Sequence, residues 1–109
     1  MVKIKSKIWL ENNGELIFGS GKAVILKQIL KTGSINKAAK ELHMSYRHAW
    51  SYIKSAEKRL GRTLVVCVRG GADGGNTTLT PYAKELLKKF FNLERQAKLS
   101  VDKLYKKLF

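Results

Sequence analysis

Two adjacent small residues, Ala38 and Ala39, limit this chain more than any other feature. They lie in a short segment that opens at Ser34 and closes at His43, Met44 and Ser45. Ser34 reads as the N-cap of a helix over 35–43, because its side-chain oxygen can accept an otherwise unpaired amide of the first turn. Ile35, Ala38, Ala39 and Leu42 then form one inner stripe. Alanines on that stripe let a second helix cross closely, as a tight helix-turn-helix requires. Ser45 caps the partner helix, predicted over 46–60 and ended by Gly61. At about 100° per residue, Ala49, Ile53, Ala56 and Leu60 share one stripe of it. Arg47, Ser51, Lys54 and Lys58 share the opposite one. His48 and Ser55 flank the polar stripe. Tyr46 and Trp50 flank the apolar stripe, which makes Trp50 a packing residue.

The flanks complete the domain. Residues 3–11 alternate imperfectly, Asn13 and Gly14 both tolerate positive φ, and 15–19 are apolar enough to return as a strand. An N-terminal hairpin is predicted. Ser20 reads as the N-cap of a first helix from Lys22, with Val24, Ile25, Ile29 and Leu30 at helical spacing and Lys22, Lys27 and Lys31 in water. Thr32 and Gly33 end it. After Gly61 comes a β-branched run over 63–69, a glycine-rich tip over 70–76 and a return strand over 77–80. This hairpin is a wing. Thr80 as N-cap and Pro81 at the first helical position open a last helix with no breaker through Phe109. Phe90, Leu93, Ala97, Val101, Leu104 and Leu108 recur in steps of three and four, the spacing of a coiled-coil seam. A domain this small does not cover the far half of that helix, so the seam is assigned to a dimer interface.

The expected fold class is α+β, mainly α: a winged helix-turn-helix with an N-terminal β-hairpin and a long C-terminal dimerisation helix. It forms one domain over 1–109. The hairpin takes 1–20, a three-helix core 21–62 with the helix-turn-helix at 34–61, the wing 63–80 and the dimerisation helix 81–109.

Charge points to the partner. Lys and Arg number 22 against 8 Asp and Glu, a formal balance of +14. Cations that meet phosphates release condensed counterions, so double-stranded DNA suits this surface. A major groove about 12 Å wide admits one α-helix, whose N-terminal turns reach base edges. Here those turns carry Ser45, Tyr46, Arg47, His48 and Ser51. Arg47 has the fork geometry for guanine O6 and N7. Lys54, Lys58, Arg59 and Arg62 suit phosphates, as do Ser34, Asn36 and Lys37 at the start of the second helix. The wing residues Arg69, Gly70, Gly71, Gly74, Gly75 and Asn76 let backbone approach a strand or a minor groove.

The string GSINKAAKEL at 33–42, MSYRHAW at 44–50, the pair Leu60-Gly61, the doubled glycines at 70–71 and 74–75, and Leu79 to Tyr82 resemble one family. It is the DNA-binding domain of the molybdate-responsive, ModE-type transcription regulators. The alanine pair and the leucine-glycine step are shared with the broader LysR-type domain. The resemblance implies a transcription regulator that binds a roughly palindromic site as a homodimer. Full-length members carry molybdate-binding domains that this chain has no room for, so a standalone DNA reader, or one with a separate sensor protein, is expected. The alternatives are a non-specific architectural DNA-binding protein and an adaptor that recruits another chain through the last helix.

Other chemistry finds little footing. His43 and His48 have no nearby cysteine or carboxylate cluster, so neither metal nor cofactor is expected. Cys67 has no internal disulfide partner and reads as an inert small hydrophobe in a reducing compartment. The glycine-rich loop lacks the phosphate-cradle pattern and lies between strands. No nucleophile, base and orienting group can be assembled, so the chain is not expected to be an enzyme. Without a leader or an apolar run of about 18–20 residues, no membrane is expected and a cytoplasmic location follows.

Overall fold

The order of elements is β1 (Trp9–Asn12), β2 (Glu15–Gly19), α1 (Ser20–Thr32), α2 (Ile35–Glu41), α3 (Tyr46–Leu60), β3 (Val65–Val68), β4 (Asn76–Leu79) and α4 (Pro81–Leu108). This is a computed structural model, and it describes residues 1–68 and 76–109. The wing residues Arg69, Gly70, Gly71, Gly74 and Gly75, expected to approach DNA, lie outside the described residues. Each hairpin is a two-stranded antiparallel sheet.

The turn of the first hairpin is made by Asn13 at φ 53° and Gly14 at φ 79°. Its first strand is shorter than predicted, starting at Trp9 instead of residue 3. The cause is its partner. Trp9 already pairs with Gly19, where β2 ends and α1 begins, so residues upstream of Trp9 meet no strand.

Helix α1 starts at Ser20, with Gly19 at the cap position and no side-chain cap bond. The expected Ser20 cap is therefore corrected. Its hydroxyl instead donates to Glu94 on α4, at 2.7 Å. The buried face of α1 is Lys22, Ala23, Ile25, Leu26 and Ile29, while Leu30 is exposed. Lys22, expected in water, is only 7% exposed, because β2 folds back across the start of this helix. Gly33 ends α1 at φ 71°, donating to the Ile29 carbonyl.

Helix α2 is bounded by the Ser34 cap, which accepts the Lys37 amide at 3.1 Å, and stops two residues earlier than predicted. Leu42 is its C-cap and His43 adopts φ 56°, a left-handed turn that ends the helical ladder. Ala38 and Ala39 are fully buried, as is Ala49 on the facing α3. Helix α3 has the predicted bounds. The Ser45 hydroxyl accepts the His48 amide at 3.0 Å and Gly61 closes the end at φ 68°. Ala49, Ile53 and Ala56 are buried, and Leu60 packs at the core's edge.

The second hairpin aligns Val65 with Leu79 and Val68 with Asn76. Its return strand is tied to the core where the Thr77 amide donates to the Gly33 carbonyl at 2.8 Å. Thr80 caps α4 by accepting the Ala83 amide at 3.1 Å, and its own hydroxyl donates to the Thr63 carbonyl. With 28 residues, α4 runs about 42 Å at 1.5 Å per residue. Its first half closes the core through Ala83, Leu87 and Phe90, the last in an edge contact with Phe18 at 5.2 Å. Beyond that point it extends past the core. The radius of gyration, 16.2 Å, exceeds the roughly 13 Å of a compact chain of this length.

Candidate nucleic-acid interface

The exposed side of α3 carries Tyr46, Arg47, His48, Ser51, Lys54 and Lys58, and the capping Ser45 is exposed beside them. Among the described residues no side chain pairs with Arg47 or Lys58. The opposite side is consumed by α2 and α1, so one face of this helix is left for a partner. His48 is exposed, with its ring 4.5 Å from that of Tyr52.

Trp50 departs from expectation. It is 43% exposed, with the Lys54 ammonium 5.5 Å from its ring, so it belongs to the open face. Trp50 is about a quarter turn from the centre of the apolar stripe, at the margin of the face that the core covers. Tyr46 and Tyr52 are also exposed.

The basic residues expected at phosphates divide. Lys58 is open, and Asn36 and Lys37 face solvent at the start of α2. Ser34 is buried, and its hydroxyl is used as the helix cap. Arg62 is exposed with its guanidinium 4.1 Å from the Tyr82 ring centroid. Arg59 is turned toward the N-terminal hairpin. It donates to the Leu16 carbonyl at 2.5 Å and approaches the Glu15 carboxylate at 3.5 Å, so it braces the hairpin against α3. Asn76, at the wing's return, is exposed and pairs with Val68. Cys67 is exposed, 3.6 Å from the Thr77 hydroxyl.

Glu57 is the residue that sequence reasoning missed. Its carboxylate accepts the Leu64 amide at 2.8 Å and the Val65 amide at 3.2 Å, and pairs with Lys54 at 3.1 Å. Burial alone would raise its pKa. The Leu64 amide, Lys54 and the Val65 amide outweigh burial and hold the carboxyl below the usual glutamate value. Glu57 thereby fixes the wing's first strand to the end of α3. A signal was present: it is the sole acid in α3, among Arg47, Lys54, Lys58 and Arg59.

At the far end of the molecule, Leu93, Leu104 and Leu108 of the predicted seam are 51%, 53% and 72% exposed. Ala97 and Val101 are half-buried. Phe90 is removed from the seam, because it is buried within the domain's own core. Among the described residues no helix is long and apolar enough to cross a membrane.

Comparison with known proteins bears on this geometry. The family model for the bacterial regulatory helix-turn-helix protein, lysR family, matches residues 22–84. Transcriptional regulator ModE of Haemophilus influenzae is 44% identical over 71 residues, covering 65% of this chain and 28% of that protein. The molybdenum transport protein ModE of Azotobacter vinelandii is 37% identical over 84 residues, 77% of this chain and 31% of its own length. The chain thus spans less than a third of these relatives. Among solved structures, the CbnR DNA-binding domain in complex with DNA superposes with a TM-score of 0.62 at 20% identity, covering 82% of this chain and 97% of that one. The BenM DNA-binding domain on its benA site 1 DNA gives 0.58 at 19%, covering 79% and 91%. These likenesses establish the winged-helix fold.

Proposed function

The chain belongs to the lysR family of bacterial regulatory helix-turn-helix proteins, DNA-binding transcription regulators, and on that premise we propose that it reads a roughly palindromic duplex site as a homodimer. The observation that carries this reading is the open face of α3. Arg47, Ser51, Lys54 and Lys58 stand in solvent on one side of a helix whose other side is locked into the core. In this reading the first turns of α3 enter the major groove, with Ser45, Tyr46, Arg47, His48 and Ser51 toward base edges. Lys54, Lys58, Arg62, Asn36 and Lys37 meet phosphates. Asn76, exposed at the wing's return, meets the neighbouring backbone. Arg59 and Ser34 are left out of the contact set, since their polar groups serve the fold.

The homodimer rests on the exposed leucines of α4, a stripe that continues beyond the core. Two recognition helices related by a two-fold axis read two half-sites about one helical turn apart. The name of the Azotobacter vinelandii relative speaks of molybdenum transport, but the chain covers less than a third of that protein's length, so no molybdenum ligand is proposed for it.

Selection of binding sites from random duplexes tests the reading. The expected product is an inverted repeat, with protein bound two to one on duplex. Recovery of no consensus would replace it with a non-specific architectural protein. A single half-site bound by one chain would remove the dimer.

A further inference from the structure

A cleft of about 540 Å³ opens between the N-terminal hairpin and α3, on a different side of that helix from the Arg47–Lys58 stripe. Its walls include Trp9 and Leu16 from the hairpin, Lys22 from α1, and Tyr52, Ser55 and Arg59 from α3. The volume is in the range that holds a small ligand.

Lys22 gives the cleft its character. This lysine is nine-tenths buried, yet its ammonium has one long hydrogen bond, 3.4 Å to the Ile17 carbonyl. Among the described residues no carboxylate pairs with it. A buried cation is costly unless it is paired. The charged residue that acts on it, Arg59, has the same sign, and burial together with that charge pushes the Lys22 pKa below the usual lysine range. Lys7 adds a third cation to the rim. The hydroxyls of Tyr52 and Ser55 make no hydrogen bond to any described residue, so both remain available as donors. The remaining wall is apolar and aromatic.

We propose that this cleft binds a small organic anion with a planar apolar body. The acid group sits against Lys22 with the free hydroxyls at hand, and the body packs on Trp9, Leu16 and Tyr52. Such an acid supplies the counter-charge that Lys22 lacks. A phosphate of duplex DNA is the less suitable occupant, because a buried, concave cation does not meet a convex backbone. The assignment does not depend on how α3 reads DNA, since none of the outward stripe lines the cleft.

The test is a titration of the full chain with benzoate, followed by the backbone amide resonances, with benzamide and inorganic phosphate as comparators. Benzoate at up to about 10 mM is expected to shift amides around Gly19, Gly21 and Ser55 saturably, since a millimolar site is nearly filled there. Benzamide should fail to do so, and phosphate should bind more weakly than benzoate. Lys22→Met keeps the buried stem and should weaken benzoate about tenfold or more. Should that variant misfold, Ser55→Tyr fills the cleft and should abolish the shifts. Scattered, unsaturable shifts, equal binding of benzamide, or benzoate binding untouched by these substitutions would each overturn the site. So would a Lys22→Met variant whose DNA affinity has lost one unit of salt slope, because the cleft would then be a phosphate contact.

Discussion

Helix α3 buries Ala49, Ile53 and Ala56, and everything it leaves in water is polar or aromatic. Helix α4 buries Ala83, Leu87 and Phe90 and then leaves Leu93, Leu104 and Leu108 exposed. Both helices are amphipathic, and both start at a hydroxyl cap, Ser45 and Thr80. The difference lies in what the chain itself can cover. The apolar stripe of α3 is used up by its own domain, so its free face is hydrogen-bonding and cationic. The stripe of α4 outruns the domain, so its free face is apolar. One uncovered face suits a polyanion and the other suits protein, and the two are held apart by the length of α4.

Substitutions on the two halves of α4 should separate most sharply. Phe90→Ala removes a ring packed on Phe18 and is expected to cost about 3–5 kcal/mol in denaturant unfolding, at any protein concentration. An effect near zero would place Phe90 outside the core after all. Leu93→Asp combined with Leu104→Asp should instead spare the fold and weaken self-association by about 100-fold or more, roughly 2.7 kcal/mol. Sedimentation measures the association and circular dichroism the helix content. A dimer that persists unchanged would move the interface elsewhere.

On α3 the largest expected effect comes from a residue that does not face DNA in this reading. Glu57→Gln should cost about 1.5–3 kcal/mol at neutral pH, since it weakens charge-assisted bonds to Leu64 and Val65 under a side chain only 14% exposed. The pH dependence has a definite sign. A carboxyl whose folded pKa is depressed contributes stability above its unfolded pKa, about 4.3, and loses it as pH falls through the lower folded value. The gap between parent and variant should therefore close in acid. A gap that is constant with pH would assign the loss to packing.

Smaller effects belong to the open face. Arg47→Ala is expected to cost about 1–3 kcal/mol on the selected duplex and to relax base preference at one position. Lys58→Ala should weaken all duplexes alike and reduce the salt slope by about one. Unchanged binding by both variants would exclude α3 as the reading helix.

Much of the framework was legible because it is local. As caps, Ser34, Ser45, Thr80 and Pro81 act within three residues of themselves, and Gly33 and Gly61 act within four at helix ends. The caps and the alanine pair therefore placed the helix-turn-helix, and α3 has the predicted bounds. Less was legible at the candidate interface. Helical spacing places Arg59 in a basic set with Lys58, but only the hairpin folded against α3 turns it to Leu16 and Glu15. Ser20 had the chemistry of a cap, and Glu94, far along the chain, took its hydroxyl.

The sequence alone determined the positions of the helices and the sign of the surface charge, since capping, periodicity and composition need no distant partner. The tertiary structure decided which flank of each stripe is covered. It exposed Trp50, drew Phe90 inward, buried Lys22 and set Glu57 under the wing. The reason is physical: a residue at the edge of a stripe is buried or exposed according to what packs beside it, and that neighbour comes from elsewhere in the chain.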